Sequence, residues 1–148
     1  MKRLRKFMRL PAAERRLLMK AILLLCAVKV GLGLLPFQTL RRLLANLAVL
    51  PVGLRDVEDP RSIERIVWAV ELAGRLVPRA STCLTQALTA QVLLLRRGHP
   101  ALVHIGTVKG ESGEFQAHAW VESGGEVLIG GHELEQYSPL AILEGERR

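Results

Sequence analysis

Two side chains in this sequence have the types needed to share a proton in covalent catalysis. Cys83 stands in "RASTCLTQALTAQVLLLRRGHP" and His118 in "EFQAHAWVESGGEVLIGG". A thiolate, not a thiol, is the nucleophile, and the unpaired N–H groups and positive end of a helix start favour that form. Cys83 is expected at the second or third position of a helix capped by Ser81 or Thr82. A thiolate of this kind works with a base or imidazolium partner, and His118 is the first candidate. Each residue also has a plain reading: a buried structural thiol, or a core imidazole with its hydrogen bonds satisfied. His104, in "ALVHIG", competes for the base role. His99 and His132 follow glycines and are expected at the surface. The four histidines show no metal spacing, and no cofactor is expected.

The elements that must position this pair are legible from periodicity. "PAAERRLLMKAILLLCAV" reads as a helix that is apolar all round from Ala21 onward. "PFQTLRRLLANLAVL" starts a second helix after Pro36 and stops before Pro51. Asp59 followed by Pro60 marks a third helix start, and Pro78 ends it. The Cys83 helix stops at Gly98 and Pro100. The period then changes from 3.6 to 2, so "ALVHIGTVK", "EFQAHAWVE" and "EVLIGG" read as an antiparallel meander with turns at Gly110–Gly113 and Ser123–Gly125. The tail after His132 reads as a short helix or a last strand. The class is α+β, with N-terminal helices followed by a Cys-bearing helix packed on an antiparallel sheet. Both sheet faces carry apolar bulk and are expected to be covered. Residues 1–58 form a helical region, a docking surface or a cover for the core, and residues 59–148 form the core domain.

Charge is concentrated at one end. Lys2, Arg3, Arg5, Lys6, Arg9, Arg15, Arg16 and Lys20, against Glu14 alone, account for the whole net charge of +7. The remainder balances, so a nucleic-acid-binding face spread over the fold is not expected. A basic end of this kind is a solubilising tail or an attraction to an acidic partner or anionic membrane. The apolar runs Ala21–Val28 and Val30–Phe37 are split by Lys29, and each is shorter than the ~20 residues a spanning helix needs. Cys26 lies in an apolar run as a core hydrophobe. Both thiols are read as reduced and the compartment as cytoplasmic, with the inner membrane surface as the alternative.

The stretches "CLTQALTAQVLLLRRG", "HIG", "AHAWVE" and "VLIGG", in this order, resemble the maturation proteases of lasso peptide biosynthesis. These are a branch of the transglutaminase-like cysteine hydrolases, with a papain-like core. "PAAERRLLMKAILLL" and "LLPFQTLRRLL" resemble the helical lead-in of the stand-alone form. The resemblance implies a cysteine endopeptidase that removes the leader from a ribosomally made precursor peptide, with Cys83 as nucleophile and His118 as base. It also implies three partners: the precursor, a separate leader-recognition protein, and an ATP-dependent cyclase that takes the freed core. Membrane contact is an alternative and not among the expected partners.

One departure from the family pattern stands out. The family's third member is an acid on the strand after the histidine. With a turn at Ser123–Gly125, Glu122 faces Glu126 and His118 faces Gly130, which has no side chain. The orienting group is then a backbone carbonyl, or Glu133 swings in, or the chain works as a dyad. Glu122 shares the face of His118 but lies about 13 Å along the strand, too far to orient the ring. A non-catalytic peptide-binding or scaffolding subunit of the same maturation complex is the alternative function, and acyl transfer to an amine is a third.

Overall fold

The computed structural model describes residues 2–49, 61–131, 134 and 137–144. Helices α1 (Lys2–Met8), α2 (Ala12–Leu34), α3 (Phe37–Ala48), α4 (Ser62–Leu76) and α5 (Cys83–Arg96) precede strands β1 (Leu102–Lys109), β2 (Phe115–Ser123), β3 (Glu126–Ile129) and β4 (Ser138–Glu144). The chain is α+β.

The helix boundaries follow local chemistry. Pro11 and Pro36 stand at the N-caps of α2 and α3, where a missing N–H costs nothing. α2 runs on past Val28 to Leu34 through Lys29, Gly31 and Gly33, further than the sequence reading carried it. One lysine does not break a helix whose opposite face is buried. α2 is thereby long and apolar enough to cross a membrane by length and composition, which corrects the reading of two short runs. The Asp59–Pro60 start lies outside the described residues. α5 ends in paired bonds from the Gly98 and His99 N–H groups to the Leu95 and Leu94 carbonyls, the six-to-one and five-to-two pattern that satisfies terminal carbonyls.

The sheet has the order β3-β2-β1-β4, antiparallel throughout. β1 to β3 form the expected meander. The tail is a strand, β4, and it pairs on the far side of β1, so β1 becomes central. Gly124 and Gly125 both have positive φ and form a two-residue turn, with Ser123 opposite Glu126. This corrects the expected pairing of Glu122 with Glu126: Glu122 faces Val127, and a bulge then sets Val121 against Ile129.

One core holds the layers together. Leu17, Leu18, Ala21, Leu25 and Val28 of α2, Ile66, Ala69, Val70 and Ala73 of α4, and Ala87, Leu88, Ala90 and Leu94 of α5 pack with Val103, Ala119, Val121 and Leu143 of the sheet. α5 is the layer between: α2 and α4 pack on one side of it and the sheet on the other. Buried Gln91 fixes the height of α5 over the sheet, since its Nε2 donates to the Ala101 carbonyl at 3.2 Å and the Leu143 carbonyl at 2.8 Å. The sheet faces differ. Val103, Ala119 and Val121 are buried against α5, whereas the other face carries a row of rings with exposed Ile142 beyond it. The Cys-bearing helix covers one face, as expected, and aromatic packing with buried Trp120 lies on the other.

Candidate active site

Thr82 is the N-cap of α5, one of the two residues expected to serve. Its hydroxyl accepts from the Thr85 N–H at 3.2 Å, and the Thr85 hydroxyl accepts from the Thr82 N–H at 2.8 Å. This reciprocal box fixes the entry angle of the chain. The Thr85 hydroxyl also donates to the Ala80 carbonyl at 2.8 Å. Counted from its Thr82 cap, Cys83 is the second residue of the helix, and it is the first with helical backbone. The box satisfies the third N–H of the helix and leaves those of Cys83 and Leu84 without an intrahelical acceptor. The thiol is free and half-buried, and it packs against the core.

His118 lies on β2 opposite Gly106 of β1. Ala119 and Val121 turn into the core under α5, so His118 and Trp120 rise from the other face. β2 emerges from the core at this point: Phe115, Gln116 and Ala117 are exposed, His118 is half-buried, and Ala119 is buried. Nε2 of His118 lies 2.7 Å from the Gly130 carbonyl oxygen. A carbonyl can only accept, so Nε2 carries the hydrogen, and the neutral ring keeps its lone pair at Nδ1. The backbone carbonyl is thus one of the three alternatives the sequence left open. Gly130 has φ 79°, and a Cβ there would sit 2.8 Å from the Ala119 carbonyl oxygen. Only glycine lets this backbone come so close to β2. Glu133 and His132 lie outside the described residues.

A ring stack clamps His118. Trp120 lies 6.1 Å away at 24° and Tyr137 5.1 Å away at 33°. On its other side Trp120 is nearly parallel to His104, 5.4 Å away at 5°. Gly106 makes room for this: a Cβ there would meet Trp120 at 3.0 Å and Tyr137 at 2.9 Å. Nε2 of His104 itself sits 3.1 Å from a carboxylate oxygen of Glu122, a close contact without hydrogen-bond geometry. Glu122, too far to orient His118, thus faces the other strand histidine. The sequence alone singles out none of Trp120, Tyr137 and Gly106. A glycine opposite "HAW" is a signal only once the strand register is known.

His99 is half-buried, not a surface group. It hydrogen-bonds to the Ser62 hydroxyl at the start of α4. Burial, followed by the nearby Arg97 charge, holds its pKa below the ordinary 6.5. A cavity of about 210 Å³ between α3 and the second half of α5 is bordered by Arg41, Arg42, Leu88, Gln91 and Leu95; neither Cys83 nor His118 lines it. Among the described residues no three His, Cys, Asp or Glu side chains come together as a metal site.

Comparison with curated proteins and with solved structures returned no match. A family model described as the transglutaminase-like superfamily matches residues 22–141, a span from the middle of α2 into β4 that includes Cys83 and His118. The chain belongs to the transglutaminase-like superfamily.

Proposed function

We propose that this protein is a cysteine endopeptidase that removes the leader from a ribosomally made lasso precursor peptide, with Cys83 as nucleophile and His118 as base. The observation that carries the reading is the bond from Nε2 of His118 to the Gly130 carbonyl. It commits one ring nitrogen as donor and leaves Nδ1 as the atom that can take a thiol proton. The level of the two residues in the fold supports the pairing. Cys83 lies about 12 Å along the helix from Gln91, which is anchored at Ala101. Gly106, opposite His118, lies about 16 Å up β1 from Ala101. For a helix running back along β1 the two heights agree within about one helical turn. His118 rises from the sheet face away from α5, so the proposed pairing requires Cys83 to reach it round the end of β2, where the strand leaves the core.

The chemistry begins with proton transfer from the Cys83 thiol to Nδ1 of His118. Sγ attacks the scissile carbonyl at the leader–core junction, and the Cys83 N–H stabilises the oxyanion. The imidazolium then protonates the leaving amine, which departs as the N-terminus of the core. A thioester remains on Cys83. Water, deprotonated by His118, attacks it and releases the leader as a carboxylate. The precursor would be delivered by a separate leader-recognition protein, and the free amine would pass to an ATP-dependent cyclase, in the cytoplasm.

The test is a digest of precursor by purified protein, with and without the leader binder, read by mass spectrometry. Leader and core masses that together exceed the precursor by one water are expected. Full cleavage by the Cys83→Ala variant would end the proposal, and an amide-linked product in place of the free carboxylate would move the chain to acyl transfer.

A further inference from the structure

Among the described residues, the N-terminal helices leave an apolar stripe on α2 without a partner. α2 turns Leu17, Leu18, Ala21, Leu25 and Val28 toward the core. At 100° per residue, Met19, Leu23, Val30 and Leu34 fall within about 60° of one another on the opposite side. They are 43%, 65%, 57% and 78% exposed. Leu4 and Met8 of the preceding α1 are exposed as well. The borders of the stripe are basic: exposed Arg16 precedes it, and exposed Lys20 and Lys29 lie on its two flanks. The first twenty residues also hold the whole net charge of the chain.

We propose that this stripe docks the protein onto an anionic bilayer surface, with α2 lying in the membrane plane. Charge complementarity selects the occupant. Lysines beside an apolar strip can lay their stems along acyl chains and raise their ammonium groups to lipid phosphates. A protein groove wide enough to cover the stripe would have to desolvate both flanks. Juxtaposed cationic side chains add attraction to an anionic leaflet that salt weakens. A crossing helix is the other membrane arrangement its length allows. It would pull the buried face of α2 away from α4 and α5 and open the core, whereas the in-plane arrangement leaves that packing intact. This inference is independent of the peptidase reading.

Co-sedimentation of the full chain with extruded vesicles tests it. Binding is expected to vesicles of phosphatidylcholine with phosphatidylglycerol, with little to phosphatidylcholine alone, and 0.5 M salt should lower partitioning about tenfold. The Leu23→Gln/Val30→Gln/Leu34→Gln variant should lose at least about tenfold in partitioning with an unchanged circular dichroism spectrum. Should that variant fail to fold, the charge reversal Arg16→Glu/Lys20→Glu/Lys29→Glu provides the same readout. No bound fraction on anionic vesicles, or undiminished binding by both variants, overturns the proposal. So does release by detergent alone, which marks a span, or a solution dimer that the leucine variant dissociates, which gives the stripe to a second copy.

Discussion

The start of α5 is held by its neighbours in sequence, whereas the place of His118 is held by partners from three other segments. Thr82 and Thr85 cap each other across a single turn, so the chain from 80 to 86 fixes Cys83 as the first helical residue. His118 depends on Gly106 in β1, Gly130 after β3 and Tyr137 before β4. The proposed nucleophile, set by local bonds, tolerates change elsewhere in the sheet. The proposed base, set by register and ring packing, does not. The two halves of the site should therefore fail in different ways when perturbed.

The largest effect removes the chemistry and leaves the fold. Cys83→Ala should lower precursor cleavage by about 10⁴-fold or more with the circular dichroism spectrum intact. Gly130→Ala comes next. A methyl group 2.8 Å from the Ala119 carbonyl forces the backbone away and moves the acceptor of His118. Activity should fall about 10- to 100-fold, as for a misplacement on the order of 1 Å, and the loss should exceed any change in Cys83 alkylation by iodoacetamide. Equal loss of alkylation would mean that the two halves are not separable.

Gly106→Ala should sharpen the contrast from the other strand. The new methyl group meets Trp120 and Tyr137 at 3.0 and 2.9 Å. Overpacking of that kind costs about 1–3 kcal/mol, measurable by urea unfolding, and should disturb His118 NMR shifts before those of residues near Cys83. Thr82→Ala should cost about 1 kcal/mol and leave the His118 signals in place.

The smallest effect is in pH dependence. His99 has a folded pKa below its unfolded value of 6.5, so the unfolded chain binds more protons between the two. Its contribution to stability is fully present above 6.5 and is lost as pH falls through the folded value. The melting temperature should decline with acidification in that window, and His99→Gln should flatten the decline.

Where bonds are short in sequence, the residues alone were sufficient. The cap at Ser81 or Thr82, the stop at Gly98 and the change of period after it all came from patterns within one element, and so did the candidate pair. Of the two adjacent caps left open, Thr82 serves, which puts Cys83 directly after the cap. The hairpin register was harder. Gly124 and Gly125 announced a turn, but its length and the bulge beyond it depend on how β3 twists against β2.

The sequence by itself determined the helical character of α2 to α5, the strand character of β1 to β3, the cap of α5 to within one residue, and which two side chains could share a proton, because those follow from interactions across a few residues. Tertiary structure alone decided that the tail pairs with β1, that Glu122 meets His104 and not His118, that a carbonyl holds the His118 ring, and which face of α2 is left outside. Each of these joins segments far apart along the chain. No local propensity can encode such a contact, since it exists only after the core has brought the layers together.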